Sequence, residues 1–406
     1  MWGFMSDSLM QRLADLATAS DSPDGLTRLF LSPAHGKATA MIERWMRMAG
    51  LTTHRDAIGN LVGRTEISGP VLMLGSHIDT VRDAGWYDGT FGVLAAIAAL
   101  EQLRAEGETL PYGVEVIAFG DEEGVRFPQT LSGARAIAGT FDPAALAGVD
   151  EHGISMADAL SAFGGNPANI AQVARQRGDV LGYVELHIEQ GPVLEAHDLP
   201  VGIVTAINGA SRFSVTVTGE AGHAGTVPMK MRHDALAAAS AMVLAIESIG
   251  RATPDLVATV GALRVHPGAP NSIAGRVTFS IDIRAPADAL RANTVAAVVA
   301  ALREITDARG VTVEIRQTHD APATECAPAL QMQLARAVAA CGIAPLHLPS
   351  GAGHDAMAVA ALCPVAMLFV RCEGGISHAP EEFLAAADAQ TAVAVLVEFL
   401  RNFQTI

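Results

Sequence analysis

The chain has 406 residues, of which 50% are hydrophobic and 17% are charged, so it is long enough for two domains and is not intrinsically disordered. A formal net charge of −16 argues against nucleic acid or an anionic membrane surface as a partner. No uninterrupted apolar stretch reaches the roughly 20 residues that span a bilayer, so no membrane partner is expected.

Helical and strand patterns alternate from residue 36 to about residue 200. Segment 37–50 has helical spacing and ends at Gly50, and segment 91–107 is a second helix that glycine stops. The apolar runs VLMLGSH (71–77) and YGVEVIAFG (112–120) predict strands. Because continuously apolar strands between helices are buried on both faces, the pattern predicts α/β architecture.

The pattern changes after TAINGAS (205–211), where apolar and polar residues begin to alternate strictly. Period-two strands predict a sheet with one exposed face. These strands are RFSVTVTG (212–219), RVTFSIDIRA (276–285) and VTVEIRQ (311–317), and helical patterns cover 232–250 and 286–309. We therefore predict an inserted α+β domain over residues 208–321.

The buried pattern returns after HDAPATE (319–325), and we predict a discontinuous first domain over 1–207 and 322–406. Its last elements are predicted as a helix over 328–341, a strand over 364–370 and a closing helix over 386–402. The predicted fold class is α/β, with a mixed sheet flanked by helices and an inserted α+β domain.

The N-terminal segment has neither a basic n-region nor a long apolar h-region, so we expect no signal peptide. The four cysteines all lie in the last fifth of the chain and form no CxxC pair, which favours buried free thiols over a disulfide framework. Both observations predict a cytoplasmic protein.

Histidines and acids gather where the apolar strands end, and ligands bind at the carboxyl ends of strands in α/β sheets. The candidates are His77 and Asp79 in LGSHIDTV, Asp88 in GWYDGTFG, Glu122 and Glu123 in GDEEG, His187 in ELHIEQG and His378 in GISHAPEE. Singly, each has a structural explanation, as a satisfied strand-end histidine, a turn aspartate or a solvated helix terminus. Together, imidazole and carboxylate without thiolate suit Zn²⁺, Mn²⁺ or Co²⁺, and two ions can be held if one carboxylate bridges them.

These segments, read with GHAGTVPM, resemble the two-metal amidohydrolases of the M20 peptidase superfamily. Within it they are most similar to the branch of allantoate amidohydrolases and N-carbamoyl-L-amino-acid hydrolases, in order from about residue 50 to 385. HIEQG paired with GHAGT separates this branch from ordinary M20 peptidases and desuccinylases. The resemblance implies a discontinuous catalytic, metal-binding domain and an inserted dimerisation (lid) domain.

The resemblance also implies roles for the candidate residues around the metals. Asp88 would bridge two divalent ions per subunit, which would be Zn²⁺, Mn²⁺ or Co²⁺. Asp79 would hold His77, and Glu122 would act as the general base. The implied metal ligands are His77, Asp88, Glu123, His187 and His378.

A second set of residues is implied to act on the substrate. His223 of GHAG would stabilise the oxyanion, reaching in from the partner subunit of a homodimer, although on sequence alone it is equally well a loop residue. The substrate is expected to be a small anionic ureido compound, which requires fixed donors because the chain itself is acidic. The implied substrate contacts are Gln190, Arg212, Asn271 and Arg284, and a solvated surface position is the ordinary alternative for each arginine.

The implied function is metal-dependent hydrolysis of a ureido or carbamoyl C–N bond in a small carboxylate. Allantoate, which would give ureidoglycine, ammonia and CO₂, is expected first, and an N-carbamoyl-L-amino acid second. Gly222 and Ala274 stand where this branch often has asparagine and proline, which leaves the substrate open. The alternatives are an aminoacylase or dipeptidase of the same superfamily and a metal-free, non-catalytic homologue.

Overall fold

The computed structural model of the chain describes residues 2–405, with side chains from residue 9 onward. The chain divides into two units, and each unit is made of separate segments of the sequence. The first unit comprises Met1–Thr205, Cys326–Leu348 and Ala352–Ile406, and the second comprises Ala206–Glu325 and Pro349–Gly351.

The helices and strands follow one another in chain order. Up to residue 207 they are α1 (Trp2–Ala17), α2 (Pro33–Met48), β1 (Thr52–Arg55), β2 (Leu61–Arg64), β3 (Val71–His77), α3 (Thr90–Ala105), β4 (Gly113–Phe119), α4 (Ser132–Ala138), α5 (Met156–Phe163), β5 (Val180–Ile188), α6 (Val193–Ala196) and β6 (Val201–Ile207). Next come β7 (Gly209–Thr218), β8 (Gly222–His223), α7 (Ala235–Ala252), β9 (Val257–Thr259), β10 (Leu263–His266), β11 (Ser272–Ile273), β12 (Arg276–Ala285), α8 (Asp288–Arg309), β13 (Thr312–Ala321) and β14 (Thr324–Glu325). The last are α9 (Pro328–Ala340), β15 (His347–Ser350), α10 (Ala356–Val359), β16 (Val365–Val370) and α11 (Ala386–Asn402).

The first unit is built on a mixed sheet in the order β1-β2-β4-β3-β5-β16-β6. The central strands β4, β3, β5 and β16 are parallel. Every residue of β3, β4 and β16 is buried, as expected for strands covered on both faces. The predicted α/β architecture is confirmed.

Side-chain alternation assigns different roles to the two faces of this sheet. Even-numbered residues such as Leu72, Leu74 and Leu186 enter an apolar core together with α1, α2, α3, α9 and α11. Successive side chains of a strand point to opposite faces, so the odd-numbered His77 and His187 project from the other face. The two histidines thus lie on the face opposite that core, among further buried apolar side chains such as Met73 and Phe369.

Helix α3 packs closely on the sheet because its sequence supplies small residues at the contact. A Cβ atom on Gly92 would lie 2.0 Å from the carbonyl oxygen of Leu186 in β5. Only glycine permits this approach, which anchors the N-terminus of α3 next to the ends of β3 and β5. Asp88 lies just before that N-terminus.

The second unit has an antiparallel sheet in the order β10-β12-β7-β13, with β9 also paired to β12. Odd-numbered residues such as Val215 and Phe279 form an apolar core with residues of α7 and α8. The even-numbered residues, including Arg212 and Arg284, lie on the opposite face, so the predicted alternation is confirmed.

Helix α7 is long and apolar enough to cross a membrane by length and composition alone. Its residues Ala238, Met242 and Ile246 are buried in the core of the second unit. Five of its 18 residues are buried and they recur at helical spacing, which is the pattern of a helix that packs one face on a domain core.

Candidate active site

Two histidines from neighbouring strands face each other at one end of the sheet in the first unit. The parallel strands β3 and β5 pair as far as Gly75 with Glu185, and His77 and His187 each follow two residues later, with their Nε2 atoms 3.4 Å apart. Asp88 Oδ1 lies 3.6 Å from His77 Nε2 and 3.1 Å from His187 Nε2. All three side chains are buried, and they form the first candidate metal-ligand group.

The other oxygen of the same carboxylate faces a second group. Asp88 Oδ2 lies 3.1 Å from His378 Nε2, which in turn lies 3.6 Å from Glu123 Oε1. The ligand atoms within each group all lie within 4.8 Å of one another. Asp88 is therefore the residue that the two groups share, with one oxygen directed to each.

The donor atoms of these groups fit divalent cations. Asp88 Oδ1 and Glu123 Oε1 are buried without a hydrogen-bond partner, which is costly for a carboxylate unless a cation lies beside it. Burial raises the pKa of Glu123 to about 7. A bound cation would offset that penalty and favour the ionised carboxylate. Imidazole and carboxylate donors are typical of Zn²⁺, Mn²⁺ and Co²⁺ sites.

Backbone carbonyls orient the two buried imidazoles. His77 Nδ1 is 2.9 Å from the carbonyl oxygen of Asp79, and His187 Nδ1 is 2.9 Å from that of Ile188. A carbonyl only accepts, so each Nδ1 carries the proton and each Nε2 lone pair is available to a metal. The Asp79 carboxylate is farther from His77 Nδ1, at 4.0 Å.

The Asp79 carboxylate instead accepts hydrogen bonds from the backbone of the loop that carries the paired glutamates. The backbone N–H groups of Glu122 and Glu123 donate to its two oxygens at 3.2 and 3.3 Å. Asp79 thus contacts His77 through its main-chain carbonyl. Through its side chain it binds the backbone of the loop that carries Glu122 and Glu123.

Glu122 forms a third candidate group with His77 and Glu123, outside the two groups that share Asp88, and no hydrogen bond of the described residues engages its carboxylate. Burial raises the pKa of Glu122 well above its ordinary value. An adjacent carboxylate with no fixed partner is suited to accepting and releasing a proton.

Glu382 is a residue of the site that sequence reasoning missed. It is buried, and its Oε1 accepts the N–H groups of Tyr87 and Asp88 at 2.8 and 3.1 Å. Its Oε2 accepts the Ser377 hydroxyl at 2.8 Å, so it ties the Asp88 segment to the His378 loop. The two acids that end SHAPEE are the only signal, and the sequence does not indicate that Glu381 is exposed while Glu382 is buried.

Gln190 lies next to the second group. Its Nε2 donates to Asp88 Oδ2 at 3.2 Å and to Ser377 Oγ at 3.1 Å. Gln190 and His378 both adopt positive φ, 56° and 57°, which non-glycine residues rarely do. Such backbone strain is concentrated at functional sites.

The remaining candidates belong to the second unit. His223 and Asn271 are exposed and lie on adjacent segments, because β8 pairs with β11 and the Ala224 N–H donates to the Asn271 carbonyl at 2.9 Å. Arg212 and Arg284 lie on the polar face of the antiparallel sheet. Both arginines bind Asp282, a residue that sequence reasoning did not single out.

Known proteins resemble this chain over nearly its whole length. Residues 73–402 match peptidase family M20/M25/M40. An allantoate deiminase of Arabidopsis thaliana is 41% identical over 98% of the chain and 82% of its own length. An N-carbamoyl-L-amino acid amidohydrolase of Geobacillus stearothermophilus is 40% identical over 96% of both chains. The crystal structure of an amidase of the hydantoinase/carbamoylase family from Burkholderia multivorans matches with a TM-score of 0.90 and 32% identity, over 97% of both chains.

Proposed function

The chain belongs to peptidase family M20/M25/M40, and from that premise we propose that it hydrolyses a ureido or carbamoyl C–N bond in a small carboxylate. Allantoate, converted to ureidoglycine, ammonia and CO₂, is the first substrate we propose, and an N-carbamoyl-L-amino acid is the second. The observation that carries the proposal is the single Asp88 carboxylate shared by two metal-ligand groups, beside the unpartnered Glu122.

We propose that two divalent ions bind in each subunit, as Zn²⁺, Mn²⁺ or Co²⁺. His77 and His187 would hold one ion, Glu123 and His378 the other, and Asp88 would contribute an oxygen to each. Bound ions of this kind supply Lewis acidity, which lowers the pKa of a water and polarises a carbonyl.

Glu122 is assigned the proton transfers. It accepts a proton from the attacking water and delivers a proton to the leaving nitrogen as the C–N bond breaks. Its proximity to His77 and Glu123, without membership in either Asp88 group, supports this role. Asp79 keeps the Glu122 backbone in place through the hydrogen bond to its carboxylate.

His223 is assigned the stabilisation of the tetrahedral oxyanion. Its Nδ1 accepts the N–H of Gly225 at 3.0 Å, so Nε2 carries the proton of the neutral ring and can donate. We propose that the protein is a homodimer in which His223 serves the partner's site. The segment 208–321 would then be the dimerisation (lid) domain, and 1–207 with 322–406 the catalytic domain.

Four polar side chains would bind the substrate. Gln190 would contact the ureido group, since its amide already lies against Asp88 Oδ2. Arg212 and Arg284 would bind the carboxylate, with Asn271 beside His223 completing the set. Arginine suits this role because its planar guanidinium binds a carboxylate through two hydrogen bonds.

A substrate panel tests the proposal. The purified protein, supplied with Zn²⁺, Mn²⁺ or Co²⁺ in turn, is assayed with allantoate, N-carbamoyl-L-amino acids, N-acetyl-L-amino acids and dipeptides. We expect turnover of the ureido acids, with ammonia release, and none of the others. Turnover confined to N-acetyl amino acids or dipeptides would instead identify an aminoacylase or dipeptidase, and a native protein without divalent metal would contradict the whole mechanism.

A further inference from the structure

The register of the second unit's sheet puts an acid between the two arginines. On antiparallel strands β7 and β12, Arg212 is the direct cross-strand partner of Asp282. Arg284 follows Asp282 by two residues on β12, so all three side chains leave the same face of the sheet. Two like charges are thus held on one polar face with a carboxylate between them.

Asp282 binds both guanidiniums at once. Its Oδ1 accepts Arg284 Nε at 3.0 Å, and its Oδ2 accepts Arg284 Nη2 at 2.9 Å and Arg212 Nε at 3.0 Å. Arg284 Nη1 donates to the carbonyl of Gly351 at 2.7 Å. The Arg284 guanidinium is therefore held by Asp282 and by the Gly351 carbonyl, whereas the Arg212 guanidinium is held by Asp282 alone among the described residues.

Both guanidiniums keep N–H donors that no hydrogen bond of the described residues uses. A guanidinium has five N–H donors, and the contacts above use three of those on Arg284, which leaves one on each terminal nitrogen. No hydrogen bond of the described residues uses the terminal nitrogens of Arg212. One free donor on each of two neighbouring nitrogens is the arrangement that binds a carboxylate bidentately.

The surroundings are open to a ligand and carry a defined charge. The three side chains are only partly covered, with 47%, 29% and 30% of Arg212, Asp282 and Arg284 exposed. They line a cavity of about 510 Å³ within the second unit. Burial would raise the pKa of Asp282, but hydrogen bonds and charge from Arg284 and Arg212 hold it below its ordinary value. Two guanidiniums and one ionised carboxylate leave a single net positive charge.

We propose that Asp282 is a positioning and specificity-determining residue, which presents the two guanidiniums together and limits their combined charge to what one substrate carboxylate neutralises. This inference rests on the proposed function, because it takes the arginines as the carboxylate site. A further consequence is selectivity: the arginine site should favour a ligand that presents one carboxylate to the arginines over a ligand that presents two.

The test compares Asp282→Asn with Asp282→Glu in the full-length metal-loaded enzyme. Asn keeps the shape of the side chain but removes its charge, and Glu keeps the charge. With Asp282→Asn we expect the KM for the ureido acid to rise roughly tenfold, with kcat within about threefold, because a charge-assisted contact to each arginine is lost.

Competitive inhibition provides a second readout that a merely structural role would not move. Butyrate carries one carboxylate and succinate carries two. Because Asp282→Asn raises the net charge of the site by one, the ratio of the butyrate Ki to the succinate Ki should rise roughly tenfold. In Asp282→Glu the ratio should stay close to that of the parent enzyme.

Three results would overturn the inference alone, given a parent enzyme that hydrolyses ureido acids. They are an unchanged KM in Asp282→Asn, a parallel loss of kcat and of the thermal midpoint, and an equal shift of the Ki ratio in both variants. A parent enzyme that hydrolyses no ureido acid would instead overturn the proposed function, and this inference with it.

Discussion

At the scale of single residues, the paired glutamates of GDEEG have different surroundings although they are adjacent and chemically alike. Glu123 Oε1 lies 3.6 Å from His378 Nε2, within the second metal-ligand group. The Glu122 carboxylate is held by no hydrogen bond of the described residues, and only its backbone is fixed, by Asp79. A metal-bound carboxylate cannot shuttle protons, whereas an adjacent unbound one can.

Substituting each glutamate by glutamine separates the two roles. Glu123→Gln should lower the bound metal, since it removes a charged ligand from the second group. Glu122→Gln should keep the parent's metal content and lose roughly 10²- to 10⁴-fold in kcat, the usual contribution of a general base. Metal content by mass spectrometry and turnover of the same preparations provide the measurement, with each variant serving as the control for the other.

The opposite pattern would refute these assignments. If Glu122→Gln lost metal while Glu123→Gln retained it, the two residues would have exchanged roles. A Glu122→Gln enzyme as fast as the parent would exclude Glu122 as the base.

At the scale of elements, the start of helix α3 depends on a glycine that contacts a candidate metal ligand. Gly89 has φ of 64°, and a Cβ atom there would lie 2.5 Å from atoms of the His77 imidazole. Both the backbone conformation and the lack of a side chain are therefore required at this position. The glycine lets the chain pass His77 closely enough for Asp88 to reach both groups.

We expect Gly89→Ala to lose bound metal and turnover because its methyl group displaces the His77 ring. Gly69→Ala is the matched control, since Gly69 also has a positive φ, 103°, but no atom lies within 4 Å of its Cβ position. Each substitution should cost roughly 1–3 kcal/mol of unfolding free energy for a backbone conformation that L side chains rarely adopt, and Gly89→Ala should add the cost of displacing the ring. Chemical denaturation and metal analysis of both variants measure the two effects.

The metal content of the two variants distinguishes the contact with the His77 ring from the backbone strain as the cause of any loss at Gly89. If Gly89→Ala binds metal as well as Gly69→Ala does, the close approach of Gly89 to His77 is not needed for metal binding. If only Gly89→Ala loses metal, the contact with the ring is responsible.

Most of the elements around the site could be predicted because their hydrophobic periodicity is strong. The predicted strand over 71–77 is confirmed as Val71–His77, and the closing helix over 386–402 as Ala386–Asn402. The helix predicted over 37–50 begins earlier, at Pro33, where the Ser32 hydroxyl caps it by accepting the N–H of His35. The short strands β1 and β2 were not predicted, because four-residue strands give too few alternations to recognise.

At the scale of the whole molecule, the proposed homodimer would divide one reaction between two subunits. His223 and Glu122 belong to different units of the chain. If His223 acts on the partner's metals, a site needs Glu122 from one subunit and His223 from the other. Two variants, each inactive alone, can then complement one another in a mixed dimer.

We expect His223→Ala and Glu122→Gln to be nearly inactive alone and to regain activity when mixed. After random exchange of subunits, half of the dimers are mixed and one of their two sites is intact, so about a quarter of the parent activity should return. Random pairing is achieved by co-expression, a different affinity tag on each variant verifies that mixed dimers form without enriching them, and the ammonia release of the unfractionated mixture is measured. Recovery near zero in verified mixed dimers would place His223 in the same subunit as the metals it serves, or outside catalysis.

The sequence by itself determined the strands with long apolar or alternating patterns, which of their faces are apolar, and which histidines and acids lie at their ends. These properties are local, because alternation and helical spacing follow from the backbone geometry of each element. The resemblance carried by GSHIDTV, HIEQG and GHAGT added the family, to which the comparisons assign the chain. Neither source distinguishes Glu381 from Glu382 or singles out Asp282.

Only the tertiary structure decided how residues far apart in the chain meet. The direction of the two Asp88 oxygens depends on β3, β5 and the His378 loop together, and the burial of Glu382 depends on its packing against the Asp88 segment. The pairing of Asp282 with Arg212 depends on the register of β7 against β12, strands separated by about 60 residues. Register and packing are set by the sum of many weak contacts across the fold, which no short segment of sequence contains.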